Sequence, residues 1–151
     1  MNKLFLSIVM VFTLLLASAC TANTESTPEQ IDVDILLPEK ISLNQESVLK
    51  VQVSQGKEKV ENAEDVQFEI WKANSKEDSE LIHAQHGKGG IYHVKKTFRE
   101  DGIYYVQTHV AARGLHVMPK KQFVVGKVSE KDLNSLIKES QNPEQSHGHH
   151  H

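Results

Sequence analysis

The chain has 151 residues, 38% of them hydrophobic and 25% charged, with a formal net charge of −3. That length suits one domain and excludes a multidomain enzyme, and mild acidity without a Lys/Arg stripe argues against nucleic acid as a partner. One cysteine excludes an intramolecular disulfide, and nine histidines stand out.

In chain order, a positive start at Lys3 precedes an apolar run from Leu4 to Ala17. The run is too short to span a bilayer, which needs about 20 residues, and its length suits a signal h-region. It ends in Leu16-Ala17-Ser18-Ala19-Cys20, which resembles the lipobox of bacterial lipoproteins, although Leu stands one place earlier than usual. The expectation is a signal peptide over residues 1–19, cleavage before Cys20, and lipidation of its thiol. A diacylated cysteine supplies the two chains that stable membrane anchoring requires. Thr21 to Gln30 is polar and cannot build a core, so residues 20–30 read as a lipidated cysteine and a flexible tether. The domain beyond would lie on the extracytoplasmic face of the cell membrane.

Ile31-Asp32-Val33-Asp34-Ile35 alternates as a half-buried strand does, and Val48 to Val53 alternates again. Gly56 and Lys57-Glu58-Lys59 mark a turn region. Val66, Phe68 and Ile70 share one strand face, with Trp71 expected to pack. Glu80 to Gln85 reads as a short strand, and Gly87-Lys88-Gly89-Gly90 as a loop. Tyr92, Val94, Lys96 and Phe98 share a face, with His93 facing solvent. Ile103 to Val110 and Leu115 to Val125 are the last two strands, the second disturbed at Pro119. About seven short strands with regular turn signals predict an all-β sandwich over residues 31–127. Asp101-Gly102-Ile103-Tyr104-Tyr105-Val106 resembles the tyrosine corner of immunoglobulin-like sandwiches, with Tyr104 as the tyrosine. Ser129 can cap a short amphipathic helix within 128–140, with Leu133, Leu136 and Ile137 on one face. Residues 141–151 read as a disordered histidine-rich tail.

With Ala111-Ala112-Arg113-Gly114 as a four-residue loop, His109 faces His116 and Gln107 faces Met118. His109, His116 and Met118 then share the polar face near the hairpin tip. Imidazole nitrogen and thioether sulfur together suit copper, and thioether selects Cu(I). Zinc gains little from methionine. The same residues also read as solvated histidines and a packed methionine. His86, just before the Gly-rich loop, is the preferred fourth ligand, with His83 behind it, and both also read as plain loop residues. The tail histidines can bind divalent metals weakly. No Ser-His-Asp order, HExxH helix, phosphate-binding loop or EF-hand loop is present, so the chain is expected not to be an enzyme.

Gly89-Gly90-Ile91-Tyr92, Glu100 to Val110, and Gly114-Leu115-His116-Val117-Met118-Pro119 resemble a YtkA-like domain, a family similar to the FixH group. The resemblance runs from about Asp32 to Val125. It implies an immunoglobulin-like β-sandwich and a role in copper handling or cytochrome oxidase maturation. Together these readings give a lipid-anchored lipoprotein that binds copper and hands it to a membrane partner. The alternative is an immunoglobulin-like protein-interaction or assembly module whose histidines are incidental. A third reading is zinc delivery through the tail.

Overall fold

Period-two alternation builds two antiparallel sheets in the computed structural model, which describes residues 29–140. The expected signal peptide, Cys20, most of the expected tether and the histidine-rich end lie outside the described residues. The first sheet contains β1 (Ile31–Leu36), β2 (Glu46–Gln55), β3 (Glu58–Lys59), β6 (Gln85–His86) and β7 (Ile91–Thr97). The second contains β4 (Asp65–Lys72), β5 (Glu80–His83), β8 (Gly102–Ala112), β9 (Leu115–Val117) and β10 (Lys120–Val125). Strand orders are β1-β2-β7-β6, with β3 on β2, and β10-β8-β4-β5, with β9 on β8. Relabelled A to G, these are the A-B-E-D and G-F-C sheets of the immunoglobulin fold, with an extra strand beside C.

The alternation sends one set of side chains into a shared core. Leu49, Val51 and Val53 of β2 join Tyr92 and Val94 of β7 from one sheet. Val66, Phe68 and Ile70 of β4 and Val106 and Val110 of β8 come from the other. Each fully buried aliphatic or aromatic side chain here contributes roughly 1.5–3 kcal/mol relative to exposure. One end is closed by aromatic rings. Phe98 meets Tyr104 edge-on at 5.1 Å and Phe123 at 5.7 Å. The Tyr104 hydroxyl donates to the Glu100 carbonyl at 3.1 Å, which forms the expected tyrosine corner.

Three elements differ from the expected pattern. The stretch Glu80 to Gln85 is not one strand. It switches sheets at Ala84, so β5 pairs with β4 and β6 with β7. The turn region after Gly56 contains a small strand, with Glu58 paired to Gln55. The last strand breaks into β9 and β10 at Met118-Pro119. Thr108 N–H donates to the Pro119 carbonyl at 3.0 Å, and proline has no N–H to return the bond. Helix α1 (Glu130–Ser140) follows the sandwich, its first turn capped by the Ser129 hydroxyl, which accepts from Asp132 N–H at 3.2 Å.

Candidate metal site

The site is built on the β8–β9 hairpin. Arg113 (φ 53°) and Gly114 (φ 75°) both take left-handed conformations, the requirement of a two-residue type I′ turn. The loop is therefore two residues long, not four. β8 runs on to Ala112, which faces Leu115, and His116 faces Ala111 rather than His109. The register is the same beyond the Pro119 break, where Lys120 faces Gln107. That places Met118 opposite His109. The expected register was wrong by two residues, and an even slip keeps every side chain on its own face. His109, His116 and Met118 still share the outer face of the second sheet.

Arg113 fixes the hairpin tip. Its backbone N–H donates to Glu64 Oε1 at 2.9 Å, and its guanidinium donates to Gln55 Oε1 at 2.7 Å and pairs with Glu58. Gln55 and Glu58 belong to the opposite sheet, so the tip clamps the two layers together. The Arg113 guanidinium also holds the Glu58 carboxyl below its usual range.

The His109 and His116 ring centres are 6.2 Å apart and tilted by 31°. A metal sits about 2 Å from an imidazole nitrogen, so two rings sharing one ion have centres roughly 5–6 Å apart. The observed separation is just above that range. Met118, which the register on either side of the break places across from His109, lies on the same face and is exposed. Among the described residues, no group of three or more His, Cys, Asp or Glu could hold a metal ion. The further candidate donor on this face is the Met118 thioether, and two imidazoles with a thioether would suit a soft monovalent ion better than zinc.

Glu69, which sequence reasoning did not single out, completes the arrangement. It lies on β4 opposite Gln107, one step along from Gln67, which faces His109. Its Oε2 stands 3.1 Å from His109 Nε2, and its Oε1 receives Lys76 Nζ. The Glu69 side chain is only 16% exposed, and that of His109 27%. Burial pushes the Glu69 carboxyl up, while hydrogen bonds from Lys76, His109 and Ser79 and the Lys76 charge outweigh it and hold its pKa below the usual glutamate value. Lys76 is in turn held over the Trp71 ring at 3.6 Å from its centre, and Trp71 stacks on Tyr105 at 5.5 Å. Trp71 thus packs as expected, on the less apolar face of its strand.

The two further candidate ligands are not brought to the hairpin. His86 sits on β6 in the other sheet, stacked on Tyr92 at 4.8 Å with its Nε2 3.2 Å from Glu61 Oε2. The sheet switch at Ala84 carries it away from His109. His83 faces Gln67 on β5, two strands from β8, or roughly 10 Å by strand spacing. Its Nδ1 lies 3.4 Å from Asp65 Oδ1 and its side chain is 73% exposed.

The fold and this patch define an immunoglobulin-like β-sandwich with a histidine–methionine cluster on one outer sheet face. The chain belongs to the YtkA-like family, whose model matches residues 25–109. The matched span ends at His109, so His116 and Met118 lie beyond it. No curated protein matches the chain. Among solved structures, an engineered protein superposes with a TM-score of 0.52 at 11% identity, over 66% of this chain and 21% of that one. The endo-β-1,4-mannanase from Thermotoga petrophila gives 0.50 at 14% identity, over 70% and 22%. The chain thus spans about a fifth of each. The PmoD soluble domain from Methylocystis sp. gives 0.44 at 13% identity, over 65% of this chain and 92% of that one. At such identities the likeness concerns the fold alone.

Proposed function

We propose that this is an extracytoplasmic copper-binding module, anchored to the membrane by lipid on Cys20, that takes Cu(I) on His109, His116 and Met118 and passes it to a membrane partner such as a cytochrome oxidase assembly system. The observation that carries the reading is the convergence of two imidazoles, 6.2 Å apart, with the methionine that faces one of them across the ladder. All three donors are neutral, which suits a monovalent soft ion. All three lie on a sheet face beside a clamped hairpin, with His116 and Met118 exposed and His109 partly covered. Openness favours transfer, because ligands of a partner can replace these donors one at a time. The polar stretch before Ile31 would let the domain reach such a partner from its anchor.

The test is a Cu(I) and Zn(II) competition titration on the chain with His147, His149, His150 and His151 replaced by Ser. One tight Cu(I) equivalent, lost in His109→Ala and in His116→Ala, is the expected result. No tight Cu(I) binding, or unchanged affinity in both variants, overturns the assignment and favours a protein-interaction module.

A further inference from the structure

Glu69 is an unusual residue for an outer sheet face. Its carboxylate is mostly covered, and both of its oxygens are engaged, Oε2 by His109 and Oε1 by Lys76. Ser79 adds a further hydrogen bond to the same carboxylate. The Lys76 side chain is 52% exposed and engaged by two contacts, the Glu69 carboxylate and the Trp71 ring. It stands on the one-turn 3-10 helix Lys76–Asp78 between β4 and β5, and the Trp71 ring lies under its ammonium group.

Two consequences follow from donor chemistry. An ionised carboxylate only accepts hydrogen bonds, so the His109 Nε2 facing it must carry the proton. In a neutral ring this leaves Nδ1 as the lone-pair nitrogen, the only atom of His109 able to bind a metal. Second, a carboxylate 3.1 Å from one ligand would ordinarily compete to become a ligand itself. Lys76 pairs with the other oxygen, Oε1, and offsets the charge of the carboxylate. A carboxylate ligand would add negative charge and an oxygen donor, both of which favour divalent, harder ions.

Building on the copper reading, we infer that Glu69 is a positioning carboxylate that selects Nδ1 of His109, and that Lys76 is a selectivity residue that holds Glu69 off the metal. The pair keeps the site a neutral set of two imidazoles and one thioether, matched to Cu(I) and poor for Zn(II). Outer-sphere partners of metal-bound histidines typically carry 10–100-fold in affinity.

The experiment compares the full chain, its tail histidines replaced by Ser, with Glu69→Ala and Lys76→Leu variants of it. Long-range proton–nitrogen NMR of the metal-free proteins reads the His109 tautomer. Competition titrations read Cu(I) against Zn(II). The unaltered site should show His109 protonated on Nε2, and Glu69→Ala should show a mixture of tautomers with Cu(I) affinity down about 10–100-fold. Lys76→Leu removes the cation from Glu69 without adding a donor and should raise Zn(II) relative to Cu(I) by about tenfold or more, within the usual outer-sphere range. A Nδ1-protonated His109 in the unaltered site overturns the role of Glu69. An unchanged Zn(II):Cu(I) ratio in Lys76→Leu overturns that of Lys76. If the unaltered site takes no Cu(I), the copper reading itself fails, whereas Cu(I) binding with unchanged tautomer and ratio overturns this inference alone.

Discussion

Two histidines in this sandwich face a glutamate at nearly the same distance, His109 with Glu69 at 3.1 Å and His86 with Glu61 at 3.2 Å. Everything around them differs. Glu69 is 16% exposed and locked by Lys76, and its histidine has His116 and Met118 as neighbours on the same face. Glu61 is 53% exposed, and His86 lies against the ring of Tyr92 at the rim of the other sheet. There Glu61 Oε1 also accepts the Gly89 N–H at 2.6 Å, which ties the carboxylate to the Gly-rich loop. The Tyr92 hydroxyl donates to the Val60 carbonyl and accepts from Ala63 N–H, which binds a second loop to the same spot. One pair sits among further donors, and the other fastens loops. A His–Glu contact by itself therefore says little; its neighbours decide whether it can serve a ligand or only the fold.

The widest separation between the two places should appear in metal affinity. His109→Ala should lower Cu(I) affinity by more than the 10–100-fold typical of an outer-sphere partner, since it removes a donor outright. His86→Ala should leave that affinity unchanged in the same competition titration, and a loss there would erase the distinction. Stability should show the reverse order. Tyr92→Phe strips two backbone groups of their partner and should cost about 1–3 kcal/mol in urea unfolding, with Cu(I) binding intact.

A smaller effect of opposite sign is expected directly behind the hairpin site. Thr108, next to His109 on β8, is fully buried, and its Oγ1 is the one buried side-chain polar atom without a hydrogen-bond partner among the described residues. Thr108→Val keeps the branched shape and removes the stranded hydroxyl, so it should raise stability by about 1 kcal/mol. The smallest effect concerns acid. The folded pKa of Glu69 is depressed, so its contacts add stability that is complete above the unfolded carboxylate range and is lost as pH falls through the lower folded value. Glu69→Gln should flatten that part of the acid limb of the metal-free protein, measured as unfolding midpoint against pH.

The difference between the two places also marks what the residue string could reveal. Local alternation was enough to find β2, β4, β7 and β8 and the faces they bury, because period two is a local property. The tyrosine corner was equally local, since Tyr104 reaches only four residues back. The hairpin face survived a register error because a slip of two preserves parity. The misplaced loop came from Arg113, whose positive φ is uncommon for a residue with a side chain. Glu69 was missed because it meets His109 across 40 positions of sequence, through a β4–β8 pairing that no local pattern announces. Its place on the polar side of Val66-Gln67-Phe68-Glu69-Ile70 was the only available signal. His86 was misassigned for a related reason. The change of sheet at Ala84 is a decision of the tertiary fold, and the sequence around it reads as one continuous strand.

The stack of Tyr105, Trp71 and Lys76 has a practical consequence. Trp71 is the only tryptophan in the chain, so tryptophan emission, excited apart from the three tyrosines, comes from a single, known address. The cation above its ring is the same one that grips Glu69. Any event at His109 that loosens or tightens that grip changes what lies over the indole and should register as a change in emission. The domain thus carries a native optical reporter wired by one lysine to its histidine–methionine patch, legible without any label.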